Sequence, residues 1–285
     1  MGIHQTAIVA NSAEIDPTAE IGPGVMIEEG VCIRSGVRVM PNAYIHKGTE
    51  IGEGTVIHTG AVIGNEPQDY QYKGAETFTR IGRNNIIREY VTVHRGTAEG
   101  SATVIGDNNF LMVQSHVGHN CRIEDDVVVA NGALLAGHVQ VEKGAFISGN
   151  VVFHQFCRVG RYSMIGGFTG VNKDVPPYML VRGPSVIRGI NLVGLRRAGF
   201  SREVRKEIKE AYKIFFLSGA SRGEALARIK DSLNSDEVAH FVSFIEASKR
   251  GICNIRFEKD KFFEDESGTE TILDQKKGDE RDEKN

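Results

Sequence analysis

The chain has no tryptophan, only four cysteines, and no apolar run approaching the ~18 residues that a membrane-spanning helix needs. The cysteines, at positions 32, 121, 157 and 253, are too scattered to form a disulfide framework or a metal clip. A net charge of −3 predicts no sequence-independent binding to nucleic acid. No secretory signal peptide is recognisable at the N-terminus. We therefore expect a reduced, cytoplasmic protein with no integral membrane segment and no nucleic-acid partner.

A hydrophobic repeat with a period of six residues runs from Ile3 to Val171. Every sixth residue from Ile3 to Val171, called a counted residue below, is a large aliphatic residue or phenylalanine, except at Asp69, Ala75 and Glu99. The side chain two positions earlier is often small or β-branched, and glycine often follows the counted residue, where we expect the chain to turn a corner. A period of six is neither helical nor a simple strand alternation, and it is typical of a parallel β-helix built from hexapeptides.

The repeat also predicts how the domains are arranged. Three hexapeptides make a triangular coil of about 18 residues, and coils stack about 4.8 Å apart like strands in a sheet. We expect a mainly β solenoid over residues 1–177, with external loops near 65–80 and 94–103. The solenoid should end at the two prolines before Tyr178, because proline cannot donate to a strand ladder. A connector and a small α-helical domain follow over 178–255, with helices that begin at Ser201, Ser221 and Ser235. Ser221 and Glu224 predict a capping box, and we expect Lys249 and Arg250 in the last turn of the third helix. The charged stretch 256–285 predicts a disordered tail.

Four histidines recur near one edge of the predicted solenoid. The segment Ser-His-Val-Gly-His contributes His116 and His119, and His138 and His154 follow. Divided by 18, these residue numbers leave remainders between 8 and 12, so the side chains project from one edge on successive coils. Imidazole is the side chain whose unperturbed pKa suits a general base near neutral pH. The pattern predicts a functional site at this edge, with Asp69 of the first loop as a candidate contact to a polar ligand.

Six segments also carry motifs of a known family. They include His-x-x-His at 116–119, Leu-Ala-Gly-His at 135–138 and His-Gln-Phe-Cys at 154–157, together with 86–97, 173–178 and 194–202. In this order they resemble the UDP-N-acetylglucosamine O-acyltransferases that start lipid A synthesis, over residues 3–250. The resemblance implies a left-handed parallel β-helix with a helical C-terminal domain, assembled as a homotrimer with active sites between subunits.

The resemblance further implies a reaction and a set of site residues. An (R)-3-hydroxyacyl group would pass from acyl carrier protein to the 3-hydroxyl of a UDP-amino sugar, with no cofactor beyond the phosphopantetheine of the carrier and no metal. A sugar hydroxyl needs a base, and a thioester carbonyl needs an oxyanion donor. By similarity His119 is that base and the Gly137 N–H that donor. The sugar and the acyl group would be positioned by Asp69, His116, His138, His154 and Gln155. The nucleotide would be held by Asn191 and Arg197. The length of the acyl chain would be limited by Gly167 and Phe168.

Four positions depart from the family pattern. Asn120 follows the base where the family usually has Asp, so we expect either a backbone carbonyl to orient His119 or a weaker base. Gln71 stands in place of a loop lysine. Val193 and Ala198 stand where well-known members carry Glu and Arg near the nucleotide. These departures leave the acceptor open between the sugar hydroxyl and the 3-amine of a UDP-2,3-diamino sugar.

Three other protein classes share the repeat. The N-acyltransferase that acts later in the same pathway carries a globular domain before the repeat, whereas this repeat begins at Ile3. A γ-class carbonic anhydrase would use three histidines, such as His116, His119 and His138, to bind zinc. A non-catalytic scaffold would use the β-helix only as a rod. Zinc analysis and the activity of a His119→Ala variant distinguish these classes.

Overall fold

The hexapeptide repeat folds into three sheets that wind around one core as a left-handed parallel β-helix. The structure is a computed structural model that describes residues 2–255, and the predicted tail 256–285 lies outside the described residues. Sheet 1 contains, in stacking order, Ile8–Val9, Met26–Ile27, Tyr44–Ile45, Val62–Asn65, Thr92–His94, His116–Val117, Leu134–Leu135, Val152–Phe153 and Gly170–Val171. Sheet 2 contains Glu14–Ile15, Cys32–Ile33, Thr49–Ile51, Phe78–Ile81, Ala102–Ile105, Arg122–Ile123, Gln140–Val141 and Arg158–Val159. Sheet 3 contains Glu20–Ile21, Arg38–Val39, Val56–Ile57, Ile86–Ile87, Phe110–Leu111, Val128–Val129, Phe146–Ile147, Met164–Ile165, Met179–Val181, Val186–Ile190 and Asn254–Ile255.

The strand register measures the length of each coil. Val128 lies opposite Phe146, so an uninterrupted coil takes three hexapeptides, as the repeat predicts. Val62 lies opposite Thr92, which makes the coil with the first loop two hexapeptides longer than a regular coil. Thr92 in turn lies opposite His116, which makes the coil with the second loop one hexapeptide longer. The three breaks in the six-residue count fall inside these two loops.

The counted side chains fill the interior of the solenoid. From Ile21 to Val171, every counted residue outside the two loops is at most 4% exposed, whereas Ile3, with no coil beneath it, is 53% exposed. Apart from Gly64, whose φ is 80°, the glycines that follow counted residues are needed for close packing and not for the turn conformation. A Cβ at Gly118 would lie 2.7 Å from the carbonyl oxygen of Leu135 on the next coil. The left-handed turn residue comes two positions later, as at Asn120 with φ of 59°.

Beyond residue 177, sheet 3 continues before the helices begin. Met179–Val181 pairs in parallel with Met164–Ile165, Val186–Ile190 returns antiparallel to it, and Asn254–Ile255 adds the last strand. These strands and the helices occupy the end of the solenoid, where an open sheet edge would otherwise be free to pair. The helices are α1 (Leu192–Arg197), α2 (Arg202–Tyr212), a π-helix (Lys213–Leu217), α3 (Arg222–Ser232) and α4 (Asp236–Glu246).

The helices begin at the predicted capping residues. The predicted end of α4 is wrong, and α1 was not predicted. Ser201 caps α2, and Ser221 forms the expected capping box with Glu224. Helix α4 ends at Glu246, so the prediction that Lys249 and Arg250 occupy its last turn is wrong. Helix α1 falls in the stretch that we expected to be a connector, since its six residues are too few to show a helical period. Within residues 2–255, no helix combines the length and apolar character required to cross a bilayer.

Candidate active site

The candidate site lies at the corner where sheet 1 passes to sheet 2. The stacking of coils aligns His119 with Gly137 and Asn120 with His138, because the His138 N–H donates to the His119 carbonyl at 2.9 Å. One coil further on, the Phe156 N–H donates to the Gly137 carbonyl at 3.1 Å. Two of the predicted histidines and the predicted oxyanion donor therefore meet on neighbouring coils.

The His119 imidazole is 5% exposed and is oriented by Asn120. Its Nδ1 lies 3.0 Å from Asn120 Oδ1, which also accepts the Thr97 N–H at 3.1 Å and the Thr97 hydroxyl at 2.9 Å. A backbone N–H can only donate, so the Asn120 atom that it meets must be the oxygen. His119 Nδ1 then carries the proton, and Nε2 keeps its lone pair. The expected backbone carbonyl is not the orienting group, since the Asn120 side chain itself takes that place.

Asp69 of the first loop faces the other nitrogen of His119. Asp69 Oδ2 lies 3.7 Å from His119 Nε2, while Oδ1 accepts the Gln71 N–H at 2.9 Å. The 3.7 Å separation is too long for a hydrogen bond but suits an ion pair with a protonated ring. The arrangement therefore combines a neutral orienting oxygen on Nδ1 with a carboxylate near Nε2, which stabilises an imidazolium after proton uptake.

Gly137 lies directly against the His119 ring. A Cβ at this position would overlap His119 Nε2 and Cε1, so any larger residue would displace the imidazole. Within residues 2–255, no group accepts the Gly137 N–H. This repeat position makes no ladder bond, which is why prolines occupy it at 17, 23 and 41. The three prolines carry no N–H, whereas Gly137 has a donor, and that donor adjoins a histidine that could act as a base.

His138 and His116 flank the base. The His138 ring meets the His119 ring edge-on at 5.2 Å between centroids and stacks on Phe156 at 4.6 Å. His116 Nδ1 lies 2.7 Å from the Thr92 hydroxyl. Burial, and then the neighbouring His119, lower the pKa of both His138 and His116. Both rings therefore favour the neutral form, which can donate or accept a hydrogen bond to a substrate.

The other predicted contacts lie further from His119. His154 and Gln155 are exposed, and His154 Nδ1 is 3.2 Å from the Gln155 carbonyl. Gly167 and Phe168 lie at a different corner, between sheet 3 and sheet 1, where Phe168 is 84% exposed. No contact within residues 2–255 joins this corner to the histidines.

Asn191 and Arg197 lie beyond the last full coil. The Asn191 side chain caps α1, because its Oδ1 accepts the Gly194 N–H at 3.0 Å and its Nδ2 donates to the Tyr162 carbonyl at 2.9 Å. Arg197 is exposed in the last turn of α1, and Ala198 is its C-terminal cap. Val193 is half-buried in the first turn. The two residues assigned to the nucleotide thus sit on one short helix.

Three residues near the site have no role in the sequence-based assignment. His94 is 6% exposed, meets His116 edge-on at 4.8 Å, and has its pKa lowered to about 4 by burial and then by His116. Arg95 is 2% exposed, and Thr97 binds Asn120. They belong to the motif His-Arg-Gly-Thr at 94–97, whose letters match the family segment. The motif does not reveal that His94 and Arg95 are buried, because their burial depends on how the inserted loops return to the coil.

Metal binding and cysteine nucleophilicity are two other chemistries that the side chains of this corner bear on. Within residues 2–255, no group of three or more His, Cys, Asp or Glu side chains has an arrangement that could hold a metal ion. Cys121 is fully buried, as its inward position predicts, and burial raises the pKa of its thiol to about 12. A thiol with so high a pKa is a poor nucleophile at neutral pH. Among the side chains at this corner, the imidazoles can take up a proton near neutral pH, whereas the buried thiol is a poor nucleophile.

The repeat and the histidine corner define a hexapeptide-repeat transferase. A family described as bacterial transferase hexapeptide (six repeats) matches residues 33–65 and 102–137. A second family, described as UDP-N-acetylglucosamine O-acyltransferase, domain 2, matches residues 174–253. Its match covers the end of the solenoid and most of the helical part.

Similar proteins extend the match over nearly the whole chain. An acyl-[acyl-carrier-protein]--UDP-N-acetylglucosamine O-acyltransferase of Thermodesulfovibrio yellowstonii is 49% identical over 254 residues, which cover 88% of this chain and 98% of that protein. A Synechocystis protein of the same name is 46% identical over 188 residues, covering 66% of this chain and 68% of that one. The crystal structure of a Bacteroides fragilis UDP-N-acetylglucosamine acyltransferase superposes with a TM-score of 0.86 at 43% identity, covering 89% of this chain and 100% of that one. The chain belongs to the UDP-N-acetylglucosamine O-acyltransferase family.

Proposed function

We propose that the chain transfers an (R)-3-hydroxyacyl group from acyl carrier protein to the 3-hydroxyl of UDP-N-acetylglucosamine, the first step of lipid A biosynthesis. Family membership supports the acyl transfer, the carrier and the sugar nucleotide. The acyl group arrives as a thioester on the phosphopantetheine of the carrier, so the reaction needs no further cofactor. The products are the 3-O-acylated sugar nucleotide and the free thiol of the carrier.

His119 is the general base in this proposal. Nε2 takes the proton of the attacking hydroxyl as the oxygen forms its bond to the thioester carbonyl carbon. The observation that carries the assignment is the engagement of both ring nitrogens: Asn120 Oδ1 lies on Nδ1, and Asp69 lies 3.7 Å from Nε2. The Asn120 oxygen keeps the proton on Nδ1, and the Asp69 carboxylate stabilises the positive charge that the ring acquires.

The Gly137 N–H is the oxyanion donor. Attack on the thioester places negative charge on the carbonyl oxygen, and a preorganised backbone donor stabilises that charge without reorganisation. Gly137 supports this role because its N–H has no acceptor within residues 2–255 and the His119 ring adjoins it. The collapse of the tetrahedral intermediate then expels the carrier thiolate, which accepts the proton held by His119.

The remaining residues would bind the substrates. His138 and His116 flank His119 and favour the neutral form, which suits contacts to sugar hydroxyl and acyl oxygen atoms. His154 and Gln155 are exposed on the next coil and would complete this surface. The nucleotide would be bound near Asn191 and Arg197, where a guanidinium suits phosphate, and the end of the acyl chain near Gly167 and Phe168.

We further propose a homotrimer with active sites between subunits. The outward face of sheet 3 supports self-association, because its register aligns an uninterrupted apolar column of Val56, Ile86, Phe110, Val128, Phe146 and Met164. Ile86 is 43% exposed and Phe146 37% exposed, which is costly for a face left in water. A shared site also explains why Gly167 and Phe168 lie at a different corner from His119. The corner of one subunit would then meet the histidines of another.

A transfer assay with purified protein tests the reaction. Acyl carrier proteins loaded with chains of graded length are combined with UDP-N-acetylglucosamine or with its 2,3-diamino analogue, and product is measured by mass. We expect O-acylation of the first sugar, and a loss of at least ~10²-fold in kcat for His119→Ala with an unchanged fold. An unchanged rate for His119→Ala would remove this residue from the role of base. Exclusive N-acylation of the diamino sugar would replace the acceptor.

A further inference from the structure

Arg95 is a buried arginine that binds the first loop. It follows strand Thr92–His94 and is only 2% exposed. Its Nη1 donates to the Gly64 carbonyl at 3.0 Å, and its Nη2 donates to Glu66 at 3.1 Å and to the Tyr72 oxygen at 2.9 Å. The planar guanidinium can serve all three acceptors at once, which a lysine cannot do in the same geometry.

Tyr72 extends this attachment further along the loop. The Arg95 guanidinium carbon lies 5.5 Å from the Tyr72 ring centroid, and the Tyr72 hydroxyl donates to the Ala75 carbonyl at 3.1 Å. Arg95 therefore holds the beginning of the 66–77 loop directly and its later part through Tyr72. A loop with few apolar contacts depends on such bonds for a fixed conformation.

The residue that faces His119 lies between the two attachment points. Asp69 is midway in sequence between Glu66 and Tyr72, and its carboxylate reaches His119 Nε2 at 3.7 Å. Shortly after Arg95, Thr97 donates to Asn120 Oδ1, which contacts His119 Nδ1. The segment Arg95–Thr97 thus acts on both nitrogens of the base through intermediary side chains.

We propose that Arg95 is a positioning residue of this enzyme, which acts by holding the Asp69 loop so that the Asp69 carboxylate meets His119. The catalytic part of this inference rests on the proposed function, since it uses the roles given there to Asp69 and His119. Arg95 touches no reacting atom. Without the hydrogen bonds of its guanidinium, the loop opens. The Asp69 carboxylate is then misplaced and no longer stabilises the His119 imidazolium.

Limited proteolysis tests the attachment without reference to activity. Lys73 is exposed in the loop, so trypsin cleaves after it only as fast as the loop opens. The double variant Glu66→Gln/Tyr72→Phe weakens the loop's bonds to Arg95 from the exposed side and leaves the solenoid core intact. We expect cleavage after Lys73 to accelerate about tenfold. The control Glu53→Gln/Tyr90→Phe makes the same chemical changes away from the loop and should leave the rate unchanged.

A double-mutant cycle tests the catalytic role. Arg95→Lys keeps the charge but loses the planar guanidinium, and we expect kcat/KM to fall by about fivefold to thirtyfold, which is no more than the loss of the Asp69 charge itself. In an Asp69→Asn background the same change should cost less than about threefold, because a residue that acts through Asp69 has nothing left to position. Equal losses in both backgrounds, or unchanged cleavage after Lys73, would overturn the proposal. If the unmodified protein transfers no acyl group, the proposed function is refuted, and proteolysis alone decides whether Arg95 holds the loop.

Discussion

The Asp69→Asn substitution isolates the contribution of one charge to the base. Asparagine has the same shape, and its Oδ1 still accepts the Gln71 N–H that fixes the turn at 2.9 Å. What disappears is the negative charge 3.7 Å from His119 Nε2. As the general base, His119 takes up a proton and carries a positive charge in the transition state. The lost attraction therefore appears in the chemical step and lowers kcat more than it raises KM.

The geometry sets the size of this effect. At the 3.7 Å separation, two unit charges attract by about 1 kcal/mol in water and by about 4.5 kcal/mol at an effective dielectric constant of about 20. The Asp69 side chain is 27% exposed and the His119 side chain 6%, so solvent screens one partner but not the other. We expect a loss near the lower limit, about 1–2 kcal/mol, or about 5- to 30-fold in kcat.

The assay is single-turnover acyl transfer, which separates the chemical step from substrate binding. Asp126→Asn is a matched control, because this exposed carboxylate pairs with Lys143 at 3.2 Å and lies on another corner of the solenoid. We expect the control to transfer at the rate of the unmodified protein. A rate for Asp69→Asn within twofold of that value would show that the carboxylate does not stabilise the ring, and the charge argument would fail.

Variants at three further positions test the site and the core. Gly137→Ala should reduce transfer at least ~10²-fold with little change in Tm, because its Cβ would overlap the His119 ring at the surface of the coil; wild-type activity would contradict the close packing. Asn120→Asp should transfer at least as fast as the parent, because its carboxylate still accepts the Nδ1 proton and adds a negative charge 3.0 Å from the ring. Asn120→Gly tolerates the φ of 59° and should lose about tenfold or more, because it removes the group that orients Nδ1; an unchanged rate would contradict that role. The buried His94 predicts a pH dependence of stability, because its pKa in the folded protein is lowered to about 4 from 6.5. As the pH falls below 6.5, the unfolded chain becomes protonated at His94 before the folded protein does, so the free energy of unfolding decreases. Between pH 7 and pH 5 the loss is about 2 kcal/mol; His94→Gln should flatten the decline in a thermal-unfolding series, and an unchanged slope would contradict the assignment.

The solenoid and its interior follow directly from the spacing of residues. A six-residue period specifies which side chain points inward on every strand, so the buried positions from Ile21 to Val171 were predictable without any contact information. The same arithmetic brought His119 and His138 to one edge, because a regular coil converts sequence distance into height along the axis. Capping residues such as Ser221 likewise act within a single turn of helix.

Local spacing does not determine how a loop that leaves the coil returns to it. The contact of Asp69 with His119, the burial of Arg95 and the bond from Thr97 to Asn120 all join segments that are distant in the sequence. They depend on the conformations of the two inserted loops, which follow no period. For the same reason the sequence pattern left the orienting partner of His119 open, and only the folded chain identified it as the side-chain oxygen of Asn120. Periodicity set the scaffold, since stacking repeats one local geometry, whereas the environment of the base was decided by contacts that occur once.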